Sequence, residues 1–300
     1  MRGKKKNGSA TTVLLVIIFL AGLSLLLYPT VSNWWNNRNQ KQVIESYTQS
    51  IHELNAEKYA VLRAEAEAYN RTLWNSGDSY ALPEDRLLQY ETLLNVSGTG
   101  VMGYIEIPAI NCMLPIYHGT DDAVLQVAIG HLEWTSLPVG GESTHSVISG
   151  HRGLPSAELL THIDKLDIGD KFYIHVLDKT LEYRVDNVAV VEPDDTSLLR
   201  ITEGKDYMTL VTCTPYGINS HRLLVRGERV ENSNAAVSGL INVNNEVRSV
   251  HLMYVIPVAL VLIVLAAGVL FWIGNKRKNV YHGKHTKRKN RRLQRGEEYE

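Results

Sequence analysis

Cysteine is scarce in this chain of 300 residues, which contains only Cys112 and Cys213. Two cysteines can form at most one disulfide, so a framework of several bridges is excluded. No segment repeats along the chain, and no base-reading motif accompanies its basic residues. We therefore do not expect it to bind nucleic acid.

Charge is absent from two long runs, "TTVLLVIIFLAGLSLLLY" (11–28) and "MYVIPVALVLIVLAAGVLFWIG" (253–274). Both reach the roughly 18 apolar residues at which a membrane-spanning helix becomes plausible. The first run could instead be a cleaved signal peptide, but it is long for that purpose and no clear small-residue cleavage site follows it. We expect a retained anchor at the first run and a second membrane span at the other.

The ends of the chain are basic and its middle is acidic. Residues 1–12 contain 4 Lys/Arg and residues 275–300 contain 10, opposed there by 3 glutamates, so residues 13–274 carry a net charge of −12. Clusters of Lys/Arg stay on the cytoplasmic side of a membrane. This pattern predicts a cell-membrane protein with two passes, cytoplasmic termini and an extracytoplasmic domain. The basic tail either binds anionic lipid or serves only as a topological flank.

The spacing of apolar residues divides the predicted extracytoplasmic part of the chain into a helical segment and a β-rich domain. Apolar residues recur at helical spacing between Trp34 and Trp74, whereas residues 103–230 contain short β-rich runs separated by turn residues. This indicates a mainly antiparallel closed β-barrel, a mainly β fold with short helices, rather than a doubly wound parallel sheet. Two stretches, 121–133 and 154–164, are each predicted as a helix inserted between strands.

These boundaries define eight segments. We expect a basic N-terminus (1–12), a membrane helix (13–29), a helical segment (30–74), a lid loop with a short helix (75–98), a catalytic barrel (99–230), a linker (231–249), a second membrane helix (250–274) and a basic tail (275–300).

Three residues form a candidate catalytic set. Cys213 stands at the end of a strand-like run beside a turn, where a thiol can meet substrate, and a nucleophilic thiol needs an imidazole or a cation nearby. His151 ends the run "HSVISGHRG" between two glycines, and Arg222 begins the strand after Cys213 and has five donors for an oxyanion. His221 should face away from Arg222 in a regular strand, and Arg226 is the nearest competitor on the same face. A Cys112–Cys213 disulfide would exclude this chemistry.

The segments "TLVTCTPYGINSHRLLVRG", "HSVISGHRG", "GYIEIPAINCMLPIYHGT" and "AIGHLEWTSLPVGG" resemble the sortase signatures. The resemblance covers roughly residues 35–230, and the two spans with long N-terminal helices are similar to the class C, pilin-polymerising sortases of Gram-positive bacteria. It implies that Cys213 is the nucleophile, His151 the acid/base partner and Arg222 the transition-state stabiliser, with Thr212 beside the nucleophile in the substrate site.

The same resemblance implies a thiol-protease-like transpeptidase. It would cleave an LPxTG-like sorting signal through a thioester and join the acyl group to a lysine amine of another pilin, acting as a membrane-bound monomer without a cofactor or metal. Alternatives are a sortase that anchors single surface proteins to the cell wall and, in another class, a non-catalytic membrane scaffold for pilus assembly. A peptidoglycan L,D-transpeptidase is disfavoured, because its Ser-x-Gly-Cys-type motif is absent around Cys213.

One feature departs from the class C pattern. Many class C enzymes cover the nucleophile with an Asp-Pro-aromatic lid, whereas this chain has Asp78-Ser79-Tyr80, which lacks the proline. Asp78 and Tyr80 are predicted lid residues, and the alternative is an ordinary loop between helices.

Overall fold

The structure is a computed structural model that describes residues 8–76 and 82–230, together with Gly268. Residues 1–233 form one compact unit, and residues 234–300 form a second unit of which only Gly268 is described. The predicted lid residues Asp78 and Tyr80, the linker 231–249, the second span 250–274 and the basic tail 275–300 lie outside the described residues.

Three helices precede the barrel: α1 (Gly8–His52), α2 (Ala56–Ser76) and α3 (Glu84–Thr92). The barrel strands are β1 (Val101–Ile107), β2 (Cys112–His118), β3 (Ile129–His131), β4 (Thr144–Ser149), β5 (Lys171–Val176), β6 (Lys179–Val191), β7 (Asp206–Thr214) and β8 (His221–Arg229). A four-residue helix, α4 (Asp122–Leu125), and 3-10 turns at Pro108–Ile110, Ile163–Lys165 and Ser197–Leu199 interrupt them.

The strands close into a barrel in the order β1-β2-β3-β4-β7-β8-β6-β5, and β5 pairs with β1. This confirms the predicted closed β-barrel. Most neighbouring strands are antiparallel, but β2 pairs with β3 and β4 pairs with β7 in parallel. The parallel pair β4–β7 matters most for function, because parallel strands end at the same edge of a sheet.

Alternation along the strands gives the barrel an inner and an outer apolar layer. In β8, Leu223 and Val225 belong to the main core, whereas Leu224 belongs to a separate small cluster. In β7, Leu210 lies in the main core and Val211 in the small cluster. Since successive side chains of a strand point to opposite faces, the small cluster lies on the outer face of the barrel.

The C-terminal half of α1 packs on the barrel through polar side chains. The Tyr47 hydroxyl donates to the Met102 carbonyl oxygen and accepts from the Leu177 backbone N–H, at 3.0 Å each. Its side chain is buried, and burial raises the pKa of Tyr47. Gln40 adds a 2.8 Å bond to the Val127 carbonyl oxygen. The predicted helical segment 30–74 is thus two helices, the end of α1 and most of α2.

The N-terminal part of α1 is long and apolar enough to cross a membrane by length and composition. Among the described residues it is the single helix with that property. Its placement matches the run predicted as a membrane anchor.

The predicted helix over 121–133 is wrong in its second half. Helix α4 ends at Leu125, and Ile129–His131 forms β3, paired on both sides. Gly130 explains the change, because a Cβ placed there would lie 2.0 Å from the Gly119 carbonyl oxygen. Such a close backbone approach belongs to strand pairing and leaves no room for a helical side chain.

The predicted helix over 154–164 is also wrong, since this segment is a loop with an isolated bridge between Leu154 and Ala157 and a 3-10 turn after it. Its internal backbone hydrogen bonds span three residues, as from the Thr161 N–H to the Glu158 carbonyl oxygen at 2.8 Å, and other backbone groups bond to α1. Asn36 donates to the Ser156 carbonyl oxygen at 2.6 Å, and the Asn33 side-chain oxygen accepts from the Glu158 backbone N–H at 3.0 Å. Tertiary hydrogen bonds therefore replace the helical ones.

Candidate active site

The parallel pairing of β4 and β7 brings the candidate histidine and cysteine to one end of the barrel. Ser149 is the partner of Val211 in that pairing, an offset of 62 positions. His151 follows β4 by two residues, and Cys213 follows Val211 by two in β7. The recorded pairing ends at Ser149 and Val211, and the same offset continued by two residues places His151 level with Cys213, although 61 residues separate them in the sequence.

Two hydrogen bonds extend this pairing past the end of β4. The Gly150 backbone N–H donates to the Val211 carbonyl oxygen at 3.1 Å. The Thr212 hydroxyl donates to the Gly150 carbonyl oxygen at 2.7 Å. The peptide that leads into His151 is therefore fixed to the residue that precedes Cys213.

Thr212 is the residue predicted to bind substrate. Its side chain is buried, and its hydroxyl already bonds to Gly150. A contact between this side chain and a substrate does not fit that placement. The structure places Thr212 in support of the site, a position that sequence spacing alone does not indicate.

The two cysteines have different environments. Both are free thiols, so the structure contradicts the disulfide alternative. Both residues are partly exposed, and Cys213 lies near the end of β7. The Cys112 thiol faces the Leu159 carbonyl oxygen at 3.9 Å, and burial raises the pKa of Cys112 to about 12, with a smaller contribution from Glu158. A thiol with so high a pKa is protonated at neutral pH and is a poor nucleophile.

Arg222 is the direct cross-strand neighbour of Cys213 in the antiparallel β7–β8 pair. Directly opposite residues share one face of a sheet, so both side chains leave the outer face of the barrel. The Arg222 guanidinium lies against the carbonyl oxygens of His221 and Asn219, at 3.2 and 3.4 Å. Among the described residues it has no carboxylate partner, and its donors can turn to a ligand.

The other two side chains of β8 considered for this role, those of Arg226 and His221, have carboxylate partners of their own. Arg226 pairs with both carboxylate oxygens of Asp186, at 3.1 and 2.7 Å, and stacks over Tyr207 with 4.1 Å to the ring centroid. His221 lies opposite Thr214, and its Nε2 is 3.2 Å from a carboxylate oxygen of Glu192. The structure therefore brings Arg222, and neither of these residues, to Cys213.

A small buried apolar cluster adjoins Cys213 and Arg222. Val211 precedes Cys213 by two positions and Leu224 follows Arg222 by two, so both continue the same face. They form the outer cluster with Val147 and Leu199, and the partly buried Leu132, Trp134 and Val191 pack against it. The four cluster residues are buried, so the cluster packs the outer face of the sheet next to the thiol.

Arg152 is a residue of this region that the sequence did not single out. Its guanidinium donates to the Thr214 hydroxyl at 3.2 Å and pairs with Asp164 at 2.5 Å. The signal in the sequence is weak, a basic residue directly after the candidate histidine. Its contacts depend on the β4–β7 register, which the sequence does not give.

The comparisons with known proteins agree with this geometry. A family model described as the sortase domain matches residues 105–230. Sortase D of Bacillus subtilis (strain 168) is 31% identical over 131 residues, which cover 43% of this chain and 63% of that protein. The chain thus spans less than two thirds of the length of this curated relative.

Solved structures give longer matches. Sortase C1 from Streptococcus agalactiae is 49% identical, with a TM-score of 0.62 over 64% of this chain and 99% of that one. Clostridium perfringens sortase C, solved with the C-terminal cell wall sorting motif, is 46% identical, with a TM-score of 0.56 over 64% of this chain and 99% of that one.

Proposed function

The chain belongs to the sortase family, whose members are cysteine transpeptidases, and from this membership we propose that it is a pilin-polymerising transpeptidase of class C. It cleaves an LPxTG-like sorting signal and joins the released acyl group to a lysine amine of another pilin. The sequence identity to class C structures supports the class, and the site supports the chemistry.

The observation that carries this proposal is the common position of three side chains. His151 and Cys213 each lie two residues beyond the last recorded pair of β4 and β7, Ser149 and Val211, and Arg222 lies opposite Cys213. A nucleophile, a base and a fixed cation at one place are what acyl transfer through a thioester requires.

In the first step, His151 takes the thiol proton and the Cys213 sulfur attacks the threonine carbonyl carbon of the sorting signal. The carbonyl oxygen becomes an oxyanion, and the Arg222 guanidinium donates to it. When the intermediate collapses, the carbon–nitrogen bond breaks and His151 gives its proton to the leaving amine. An acyl thioester on Cys213 remains.

In the second step, the lysine amine of the acceptor attacks the thioester carbonyl. Its proton passes to His151, a carbon–nitrogen bond forms and the carbon–sulfur bond breaks. The product is an isopeptide bond, and Cys213 returns to its starting state. No water is consumed, so the reaction is a transfer.

Helix α1 supports a membrane-anchored enzyme. Its apolar half fits a bilayer and its polar half bonds to the barrel, so the same helix would hold the site near the membrane. Tethering enzyme and substrate to one surface raises their effective concentration.

A transfer assay tests polymerisation against wall anchoring. The full-length protein in detergent micelles is incubated with an LPxTG-type donor peptide and a lysine-containing acceptor peptide with an acetylated N-terminus. We expect an isopeptide product by mass spectrometry, which disappears when the acceptor lysine is replaced by arginine. Transfer only to an acceptor with a free N-terminal amine would favour wall anchoring, and absence of cleavage by the wild type would contradict the transpeptidase itself.

A further inference from the structure

Two side-chain hydrogen bonds enclose the His151–Cys213 pair. On one side the Thr212 hydroxyl donates to the Gly150 carbonyl oxygen at 2.7 Å. On the other side the Arg152 guanidinium donates to the Thr214 hydroxyl at 3.2 Å. Both bonds keep the offset of 62 positions that β4 and β7 show in their pairing. The register of the sheet thus continues beyond its backbone bonds.

Arg152 is held in place by more than this bond. Its second terminal nitrogen lies 2.5 Å from a carboxylate oxygen of Asp164, and its side chain is 10% exposed. Its Cζ lies 5.9 Å from the ring centroid of Tyr216, in the turn after Cys213. The guanidinium therefore contacts the turn that follows the cysteine twice.

Gly153 allows the two turns to come together. Its φ is +78°, and a Cβ placed there would lie 2.9 Å from the Tyr216 ring. Its backbone N–H donates to the Thr161 hydroxyl at 3.1 Å. A residue with a side chain at this position would push Tyr216, and with it the turn after Cys213, away from the histidine segment.

Joining two loops through a nearly buried guanidinium costs free energy, because the charged group loses water. Arg152 Nε is buried and has no hydrogen-bond partner among the described residues. Burial of an incompletely bonded charged group costs free energy, and a well-packed apolar contact would often serve stability better. Such a cost beside a reacting pair suggests that the geometry it imposes is used in catalysis.

We propose that Arg152 is a positioning residue that fixes the imidazole of His151 against the thiol of Cys213. It does so by tying the turn after the histidine to Thr214 and Tyr216 after the cysteine. The catalytic effect rests on the proposed function, because a proton passes between His151 and Cys213 in both steps. A displacement of about 1 Å between reacting groups can cost on the order of 100-fold in rate.

The test measures single-turnover acylation of the full-length protein by an LPxTG-type peptide, followed by intact mass. For Arg152→Gln we expect the acylation rate constant to fall on the order of 10- to 100-fold. The peptide concentration for half-maximal rate should stay within about threefold, since positioning of His151 does not alter peptide binding. Arg152→Lys should recover part of the rate, because lysine can reach one partner but not two.

Arg63→Gln is the matched control. Arg63 also pairs with an aspartate, Asp178, but lies on α2. Its loss should leave the acylation rate unchanged. Should Arg152→Gln fail to fold, Thr214→Val removes the same hydrogen bond with little change of shape, and we expect a similar loss of rate from it. The two substitutions together should cost no more than the larger of the two alone.

The proposal is overturned if Arg152→Gln and Thr214→Val both acylate within twofold of wild type. It is also overturned if only the half-maximal concentration rises, because Arg152 would then bind the peptide. Alkylation of Cys213 by iodoacetamide separates this result from failure of the proposed function, since it needs no peptide. We expect slower alkylation in Arg152→Gln at neutral pH even if the chosen peptide is not a substrate, because the displaced imidazole no longer activates the thiol.

Discussion

Residue type alone does not tell which of the two cysteines of this chain is the nucleophile. Cys112 begins β2 and its thiol faces the Leu159 carbonyl oxygen, where burial raises the pKa of the thiol. Cys213 stands at a strand end next to a turn, partly exposed and opposite an arginine. The difference lies in the surroundings, and for Cys213 the sequence indicated it through the turn "TPYGINS" and the following Arg222.

Arg222 gives the first prediction at the scale of single residues. Arg222→Lys keeps the charge but loses the planar fork, so the oxyanion should lose at least one donor. We expect kcat for peptide cleavage to fall by on the order of 100-fold or more, with a smaller change in KM.

Arg226→Lys is its control on the same face of β8. Arg226 pairs with Asp186 and stacks on Tyr207, so its substitution should lower the melting temperature. Its kcat should fall much less than that of Arg222→Lys. Equal losses of kcat in the two variants would contradict the assignment of the oxyanion role to Arg222.

His131 gives a prediction for pH dependence. It is fully buried, its Nε2 lies 2.8 Å from the Ser136 carbonyl oxygen and its Nδ1 lies 3.0 Å from the Tyr90 hydroxyl. The carbonyl oxygen can only accept, so Nε2 carries the proton and the neutral ring accepts from Tyr90. Burial lowers the pKa of His131 from 6.5 to about 3.

The unfolded chain therefore binds a proton at His131 that the folded chain excludes. Between pH 6.5 and about 3, the free energy of unfolding should fall as pH falls, by at most about 1.4 kcal/mol per pH unit from this residue. Urea unfolding at pH 7 and pH 5 measures the slope, and His131→Gln should make it shallower. An unchanged slope in the variant would show that His131 is not held neutral.

At the scale of elements, the longer strands were predictable and the shortest one was not. β5 alternates between buried and more exposed residues over six positions, whereas β7 and β8 were indicated by β-rich apolar runs bounded by turn residues. β3 has three residues with a glycine at its centre, too few to show a period, and its apolar neighbours suggested a helix. The helix predicted over 154–164 was wrong because the bonds that this segment makes to Asn33 and Asn36 come from a distant helix, which a local pattern does not show.

The candidate site also has features that the sequence predicts and features that it does not. Cys213, His151 and Arg222 could be named from their residue types and the turns beside them. The bonds from Thr212 to Gly150 and from Arg152 to Thr214 could not, because they depend on the register between two strands separated by more than fifty residues.

The contact of α1 with the barrel yields a prediction for an element. Tyr47→Phe leaves the Met102 carbonyl oxygen and the Leu177 N–H without their buried partner. The free energy of unfolding should fall by about 1–3 kcal/mol. Urea unfolding of the full-length protein in detergent measures it, with the exposed Tyr28→Phe as control. An equal stability of the two variants would mean that α1 does not dock through Tyr47.

At the scale of the whole molecule, the N-terminal part of α1 is a candidate membrane span by length and composition. α1 joins an apolar stretch that fits a bilayer to a polar stretch that bonds to β1, to Val127 after α4 and to the loop after His151. The helix that carries the candidate span therefore contacts the barrel and the loop after His151 directly. This arrangement suits an enzyme whose substrates are held at the same surface.

The central claim is that Cys213 carries the acyl group of a cleaved sorting signal. The most direct test is the intact mass of the full-length protein after incubation with an LPxTG-type peptide, for wild type, Cys213→Ala and Cys112→Ala. We predict a mass gain equal to the N-terminal peptide fragment in wild type and Cys112→Ala, and none in Cys213→Ala. An adduct that persists in Cys213→Ala, or that disappears in Cys112→Ala while the protein stays folded, would contradict the assignment of the nucleophile.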